Sequence, residues 1–127
     1  MTESELLSWK AFDIACRRIA NKVMENKWKI DYIYGIPRGG LVVAVRLSHI
    51  LGKPLIGSIN FEHDNIDFKA LLVVDDIADT GKTLDYWRNH TDVKIATVYY
   101  HRQSSVIPDI WVYEKQRNWI TFPWERP

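Results

Sequence analysis

Two spacings of apolar residues run through this chain, one of helix and one of buried strand. Leu6, Leu7, Trp9, Phe12, Ile14, Ala15, Ile19 and Val23 recur at helical intervals, the spacing that lays side chains along one face. Thr2 and Glu5 stand where a capping box would open that helix, so the pattern predicts an amphipathic helix over residues 3–25. Asp31 to Tyr34 reads as a short strand, and Gly35-Ile36-Pro37-Arg38-Gly39-Gly40 turns the chain into a second helix from Leu41 to about Leu51. Gly52 and Pro54 end it, because glycine caps a helix and proline cannot extend one.

The second half repeats the alternation. Leu55 to Phe61 predicts a strand, Glu62 to Phe68 a polar connection, and Leu71 to Val74 a strand apolar at every position. An uninterrupted apolar run of that length implies burial on both faces. A helix from about Lys82 to Asn89 follows, then strands at Val93 to Tyr100 and Ile110 to Tyr113. The stretch after them, residues 114–127, is aromatic and proline-containing, with no clean period. Helices alternating with buried strands predict an α/β fold: one domain over residues 1–127, a mostly parallel sheet of about five strands flanked by helices. Its core spans about residues 30–113, and residues 114–127 form a very small C-terminal hood.

Composition narrows the partners. The 127 residues carry 17 basic and 16 acidic side chains, for a formal charge of +1. No global field invites nucleic acid or an acidic membrane, so any anion site is local. Cys16 stands alone, which rules out an internal disulfide and suits a reducing cytoplasm. No apolar run approaches a membrane span, and the N-terminus carries acids where a signal peptide carries bases. The reading is a cytoplasmic protein. Six Trp and six Tyr are many for this length, and with the long first helix they suggest a homodimer or homotetramer.

Candidate chemistry concentrates where the Leu71 to Val74 strand ends. Asp75, Asp76 and Asp79 are followed by Thr80-Gly81-Lys82-Thr83, at the end of a strand where open α/β sheets place ligands. Paired carboxylates offer hard oxygens to sugar hydroxyls or Mg²⁺. Hydroxyls, a glycine and the first N–H groups of a helix are the parts of a phosphate cradle. A nucleoside-triphosphate P-loop would need glycine five residues before Gly81, and Asp76 stands there. The Gly35 to Gly40 turn is a second anion candidate, since Arg38 is a bidentate donor and glycines let backbone approach a ligand. In the tail, Trp119 offers an indole face to a planar base.

The thirteen residues LLVVDDIADTGKT resemble the diphosphate-sugar motif of type I phosphoribosyltransferases, and Trp119-Ile120 with Pro123-Trp124 is similar to the tail of the xanthine-guanine members. That resemblance covers about Tyr32 to Trp124. It implies a purine phosphoribosyltransferase: 5-phosphoribosyl diphosphate (PRPP) and a guanine-, xanthine- or hypoxanthine-like base would give a nucleoside 5′-monophosphate and diphosphate. Asp75, Asp76, Ala78, Asp79, Thr80, Gly81, Lys82 and Thr83 would hold the ribose and 5′-phosphate, with Asp76 contacting Mg²⁺ and Asp79 accepting the base proton. Pro37, Arg38, Gly39 and Gly40 would hold the diphosphate, with a cis peptide between Pro37 and Arg38. Trp119 would cover the base and the Ile120 backbone read its edge, while Trp124 packs.

Two departures from the family pattern bear on rate and acceptor. A lysine that addresses the purine oxygen from the end of the fourth core strand is absent, and Tyr100-His101-Arg102 occupies that place, so His101 or Arg102 would donate instead. The connection Asn60 to Asp67 is short and lacks the family's Ser-Tyr lid, so the site would exclude water less well. A PRPP-binding regulator without chemistry and a transferase for a non-purine acceptor stand as alternatives.

Overall fold

In the computed structural model, which describes residues 4–60 and 64–125, the sheet forms around the strand richest in apolar residues. That strand is β4, Leu71–Ala78, following β1 (Ser4–Leu6), α1 (Trp9–Glu25), β2 (Tyr32–Gly35), α2 (Gly39–Leu51) and β3 (Leu55–Ile56). After it come α3 (Lys82–His90), β5 (Lys94–Tyr100), β6 (Ile110–Glu114) and β7 (Trp119–Thr121). The main sheet has the order β3-β2-β4-β5-β6 with every pair parallel. This is the mostly parallel five-stranded α/β architecture that the alternation of helices and strands predicts.

Burial explains why β4 is central. Leu72 and Val74 pack into the cluster on one face with Phe12, Ile19, Val43 and Leu47 from α1 and α2. Leu71 and Val73 pack on the other face with Leu84 and Trp87 of α3. Successive side chains of a strand point to opposite faces, so an unbroken apolar run is what a two-sided sheet needs. Within the first cluster, burial pushes the Cys16 thiol up to about 12, which leaves it an inert core residue.

Several boundaries move from their predicted places, each for a physical reason. The first helix begins at Trp9, where Ser8 accepts the Ala11 N–H at 3.0 Å as its cap. Ser4–Leu6 is a strand instead, paired in parallel with β7, and the Leu7 N–H donates to the Thr121 carbonyl at 3.0 Å. Thr2, half of the expected capping box, lies outside the described residues. The Leu55 strand stops at Ile56 because only Ile33 and Tyr34 of β2 are opposite it before β2 ends at Gly35. Its expected end, Phe61, and the lid residues Glu62 and His63 lie outside the described residues. On their flanks the Asn60 N–H donates to Asp64 Oδ2 at 2.7 Å, and the Asp64 N–H to the Asn60 carbonyl at 2.8 Å. The β4 strand runs four residues past Val74, because β5 continues beside it to Tyr100.

Candidate active site

Since β4 extends to Ala78, Asp75 and Asp76 are strand residues, held rigidly rather than carried on a loop. They are pressed together: the Asp76 N–H donates to Asp75 Oδ1 at 2.8 Å. Burial, then the charge of Asp76, pushes the Asp75 carboxyl up to about 8. Burial also raises Asp76, where the charge of Glu125 from the C-terminal turn adds to it. Neighbouring carboxylates that are only half-exposed oppose each other's ionisation, which adds to the effect of burial.

The chain then turns into α3 through a glycine with φ of 89°, a conformation costly for other residues. A methyl group at Gly81 would collide with Ser104 and Ser105 of the β5–β6 loop. That loop ties the turn down: the Ser105 N–H donates to the Thr80 carbonyl at 2.9 Å, and its hydroxyl to Asp85 at 3.0 Å. Thr80 Oγ1 accepts the Lys82 N–H at 3.3 Å. A continuous cavity of about 220 Å³ results, lined by residues Asp75 to Leu84. It brings together the acid pair, Ala78, Asp79, Thr80, Gly81, Lys82 and Thr83.

The Gly35 to Gly40 turn comes up beside the acids. The Ile36 N–H donates to the Val74 carbonyl at 2.9 Å, which fastens the turn to β4. Gly39 lies so close to Asp76 that a methyl group there would strike its carboxylate, and one at Gly40 would strike the Val74 carbonyl. The Pro37–Arg38 peptide is cis. Pro37 and Arg38 are exposed at the start of α2, so the guanidinium can meet a ligand lying across Gly39 and the acid pair.

Asp79 gathers a second group of polar side chains. His101 Nδ1 lies 3.0 Å and Gln103 Nε2 3.1 Å from its Oδ1, and Lys115 Nζ lies 3.4 Å from Oδ1 and 3.5 Å from Oδ2. Burial pushes the Asp79 carboxyl up, but the Lys115 charge and the bonds from His101, Gln103 and Lys115 outweigh it and hold it below the ordinary range. Asp79 is therefore ionised at neutral pH. The Lys115 ammonium sits 5.9 Å from the ring centre of Trp119, whose side chain is 66% exposed and so presents an open face. Ile120 is buried in the core, opposite Glu5 in the β1–β7 ladder. Arg102 does not join the group: it is largely solvated and pairs with Glu114 at 3.1 Å. Trp124 packs as expected, stacked on Phe122 at 4.9 Å and edge-on to Phe12 at 5.2 Å.

Lys115 and Gln103 are functional candidates that sequence reasoning missed. A signal for Lys115 existed, since it directly follows a strand, and strand ends are where such sheets bind ligands. Size alone points elsewhere: an apolar cavity of about 510 Å³ between α1 and α2, larger than the one at the acid pair, holds none of the motif residues.

A family model described as "Phosphoribosyl transferase domain" matches residues 2–65. The purine phosphoribosyltransferase of Pyrococcus horikoshii Ot3 is 36% identical, over 98% of this chain and 95% of that one, with a TM-score of 0.84. The chain belongs to the phosphoribosyltransferase family. Two more distant members share its fold. One is the Helicobacter pylori xanthine-guanine-hypoxanthine phosphoribosyltransferase, 19% identical over 97% of this chain and 94% of that one, TM-score 0.78. The other is the Schistosoma mansoni hypoxanthine-guanine phosphoribosyltransferase in complex with IMP, 21% identical over 81% and 60%, TM-score 0.56.

For a phosphoribosyltransferase the acid pair also fits a divalent cation. Its carboxylates are hard donors, and the crowding that raises their pKa is relieved by positive charge. Among the described residues, no cluster of three or more His, Cys, Asp or Glu would hold a metal unaided. A cation here would draw its remaining ligands from substrate oxygens and water, the usual Mg²⁺ arrangement beside phosphates. No helix among the described residues is long and apolar enough to cross a membrane.

Proposed function

We propose that this phosphoribosyltransferase carries the 5-phosphoribosyl group of PRPP to a 6-oxopurine, releasing diphosphate and a nucleoside 5′-monophosphate. One observation carries the choice of base: an ionised carboxylate, Asp79, stands beside an ammonium, Lys115, about 3.5 Å away and near an open indole. In a 6-oxopurine the imidazole N–H and the 6-carbonyl are a donor and an acceptor on adjacent positions of one edge. Asp79 would accept from the N–H and Lys115 donate to the carbonyl, while Trp119 covers the ring. A 6-amino group would turn two donors against each other, leaving a buried polar group unpaired.

The remaining residues position PRPP. Thr80 to Thr83 hold the 5′-phosphate at the start of α3, Asp75 and Asp76 accept from the ribose hydroxyls, and Arg38 with the Gly39 and Gly40 amides holds the diphosphate. Asp76, whose carboxylate lies against Gly39, would face both the ribose and the diphosphate, and it is the residue we assign to Mg²⁺. When bound, the cation would neutralise charge on the leaving diphosphate. The chain's share is orientation and fixed charge: as the C1′–diphosphate bond breaks and the bond to the purine nitrogen forms, the imidazole N–H becomes acidic and Asp79 accepts its proton, which then passes to water.

The test is nucleotide formation from PRPP and Mg²⁺ with guanine, xanthine, hypoxanthine, adenine and pyrimidines in turn. Product from one or more 6-oxopurines, at least roughly tenfold faster than from adenine, is expected. PRPP binding with no product from any base would make the chain a regulator. Product from pyrimidines alone would overturn the choice of acceptor.

A further inference from the structure

The donors around Asp79 are unevenly shared between its two oxygens. Oδ1 receives His101 Nδ1, Gln103 Nε2 and Lys115 Nζ, whereas Oδ2 has Lys115 alone, at 3.5 Å, among the described residues. A carboxylate oxygen has two lone pairs, so Oδ1 is saturated and Oδ2 keeps the capacity to accept from a ligand. His101 makes the shortest of these contacts, and its backbone is fixed, with its N–H donating to the carbonyl of Ala78, the last residue of β4, at 2.9 Å. We propose that His101 is a positioning residue: it leaves the purine untouched and holds Asp79 by Oδ1, so that Oδ2 faces the purine N–H.

A hydrogen on Nδ1 follows from this geometry. An ionised carboxylate offers only lone pairs, so a contact of 3.0 Å between it and a ring nitrogen requires that nitrogen to donate. Without His101 the Asp79 side chain regains rotational freedom, and Oδ2 meets the base in the right orientation less often. The phosphate cradle, Thr80 to Thr83, is tied by Ser105 and Asp85 instead, so PRPP binding is independent of His101. Asparagine at position 101 places an amide N–H close to where Nδ1 stands and restores the bond.

The inference rests on the transferase reading, but one arm of its test does not. The full chain, labelled with ¹⁵N-histidine, is examined by long-range ¹H–¹⁵N correlation at pH 8, where free imidazole is neutral. The His101 signals are assigned by their loss in His101→Asn. Hydrogen on Nδ1 is expected, moving toward Nε2 in Asp79→Ala. Hydrogen on Nε2 in the unaltered chain, or no change in Asp79→Ala, would overturn the proposal whether or not any base is turned over. The second arm is kinetic: His101→Ala is expected to lower kcat with hypoxanthine roughly 30-fold with the PRPP KM within about twofold. His101→Asn should return kcat to within about threefold. Unaltered kcat in His101→Ala, or no recovery in His101→Asn, would overturn it equally. Turnover of no base by the unaltered chain would end the transferase reading alone, and the spectrum would still decide His101.

Discussion

Replacing Lys115 by Met removes a charge while keeping most of the side chain's length, and the structure gives both the size and the selectivity of the effect. The Lys115 side chain is only 12% exposed and its ammonium lies 3.4 Å from Asp79, so the charge it supplies is not one that surface solvent readily substitutes. Losing a hydrogen bond from a charged group costs about 1.5–3 kcal/mol, or roughly 10- to 150-fold in kcat/KM for a base that uses it. A second effect opposes the first: without the lysine charge the Asp79 carboxyl rises toward its ordinary range and becomes a better proton acceptor. That gain applies to every base, whereas the lost donor matters only to a 6-carbonyl. The ratio of kcat/KM for hypoxanthine over adenine should therefore fall at least roughly tenfold, while the PRPP KM stays within about twofold. The assay is nucleotide formation with each base over a range of PRPP concentrations. An unchanged ratio would refute the argument, and a rise in PRPP KM equal to the loss would place Lys115 on the wrong substrate.

Other perturbations address other links. Asp75 is raised when folded, so between its ordinary value and about 8 the folded chain binds more protons than the unfolded one. Stability from this carboxyl is full at low pH and lost as pH rises through 8. Calorimetry without ligands should show Tm falling from pH 5.5 to 8.5, less steeply in Asp75→Asn; equal slopes would refute it. Gly39→Ala pushes a methyl group into the Asp76 carboxylate, and displacement on that scale should lower kcat/KM for PRPP roughly 100-fold; retention within twofold would show that the contact is slack. Leu72→Ala opens a cavity at a fully buried position of β4 and should cost about 2–5 kcal/mol in urea unfolding; a loss under about 1 kcal/mol would mean the core collapses around it.

How far the fold could be read in advance depended on whether a residue's own environment or a distant partner decides its state. Leu71 to Val74 declare themselves, because a strand buried on both faces has to be apolar throughout. Asp75 to Ala78 do not: their side chains suggest a loop, and only β5 alongside keeps them extended. Ser4–Leu6 is the sharpest case. Its residues continue the helical spacing of α1, yet they pair with a tail strand more than a hundred positions away, where Ser4 and Thr121 hydroxyls meet at 2.5 Å. Local spacing carries no information about that edge. It also could not show that the N-terminus fastens the strand carrying Trp119.

The site shows the same division, with one instructive exchange. The acid pair, Asp79 and the Thr80 to Thr83 turn are contiguous in sequence, so their cavity was legible as a motif. The cation beside Asp79 was not, because the resemblance leads one to look for a lysine at the end of β5, where this chain has His101. In space β5 and β6 end side by side: Tyr100 is opposite Glu114, and the Lys115 N–H donates to the Tyr100 carbonyl at 2.8 Å. A lysine one residue past β6 therefore brings its ammonium to Asp79, beside the end of β5. This arrangement puts a positive charge beside Asp79 from β6 while His101, at the end of β5, contacts the same carboxylate. Moving the lysine to position 101 should separate the two roles. His101→Lys combined with Lys115→Met should restore selectivity for a 6-carbonyl but leave Asp79 without its His101 bond, giving a recovered base ratio with a depressed kcat.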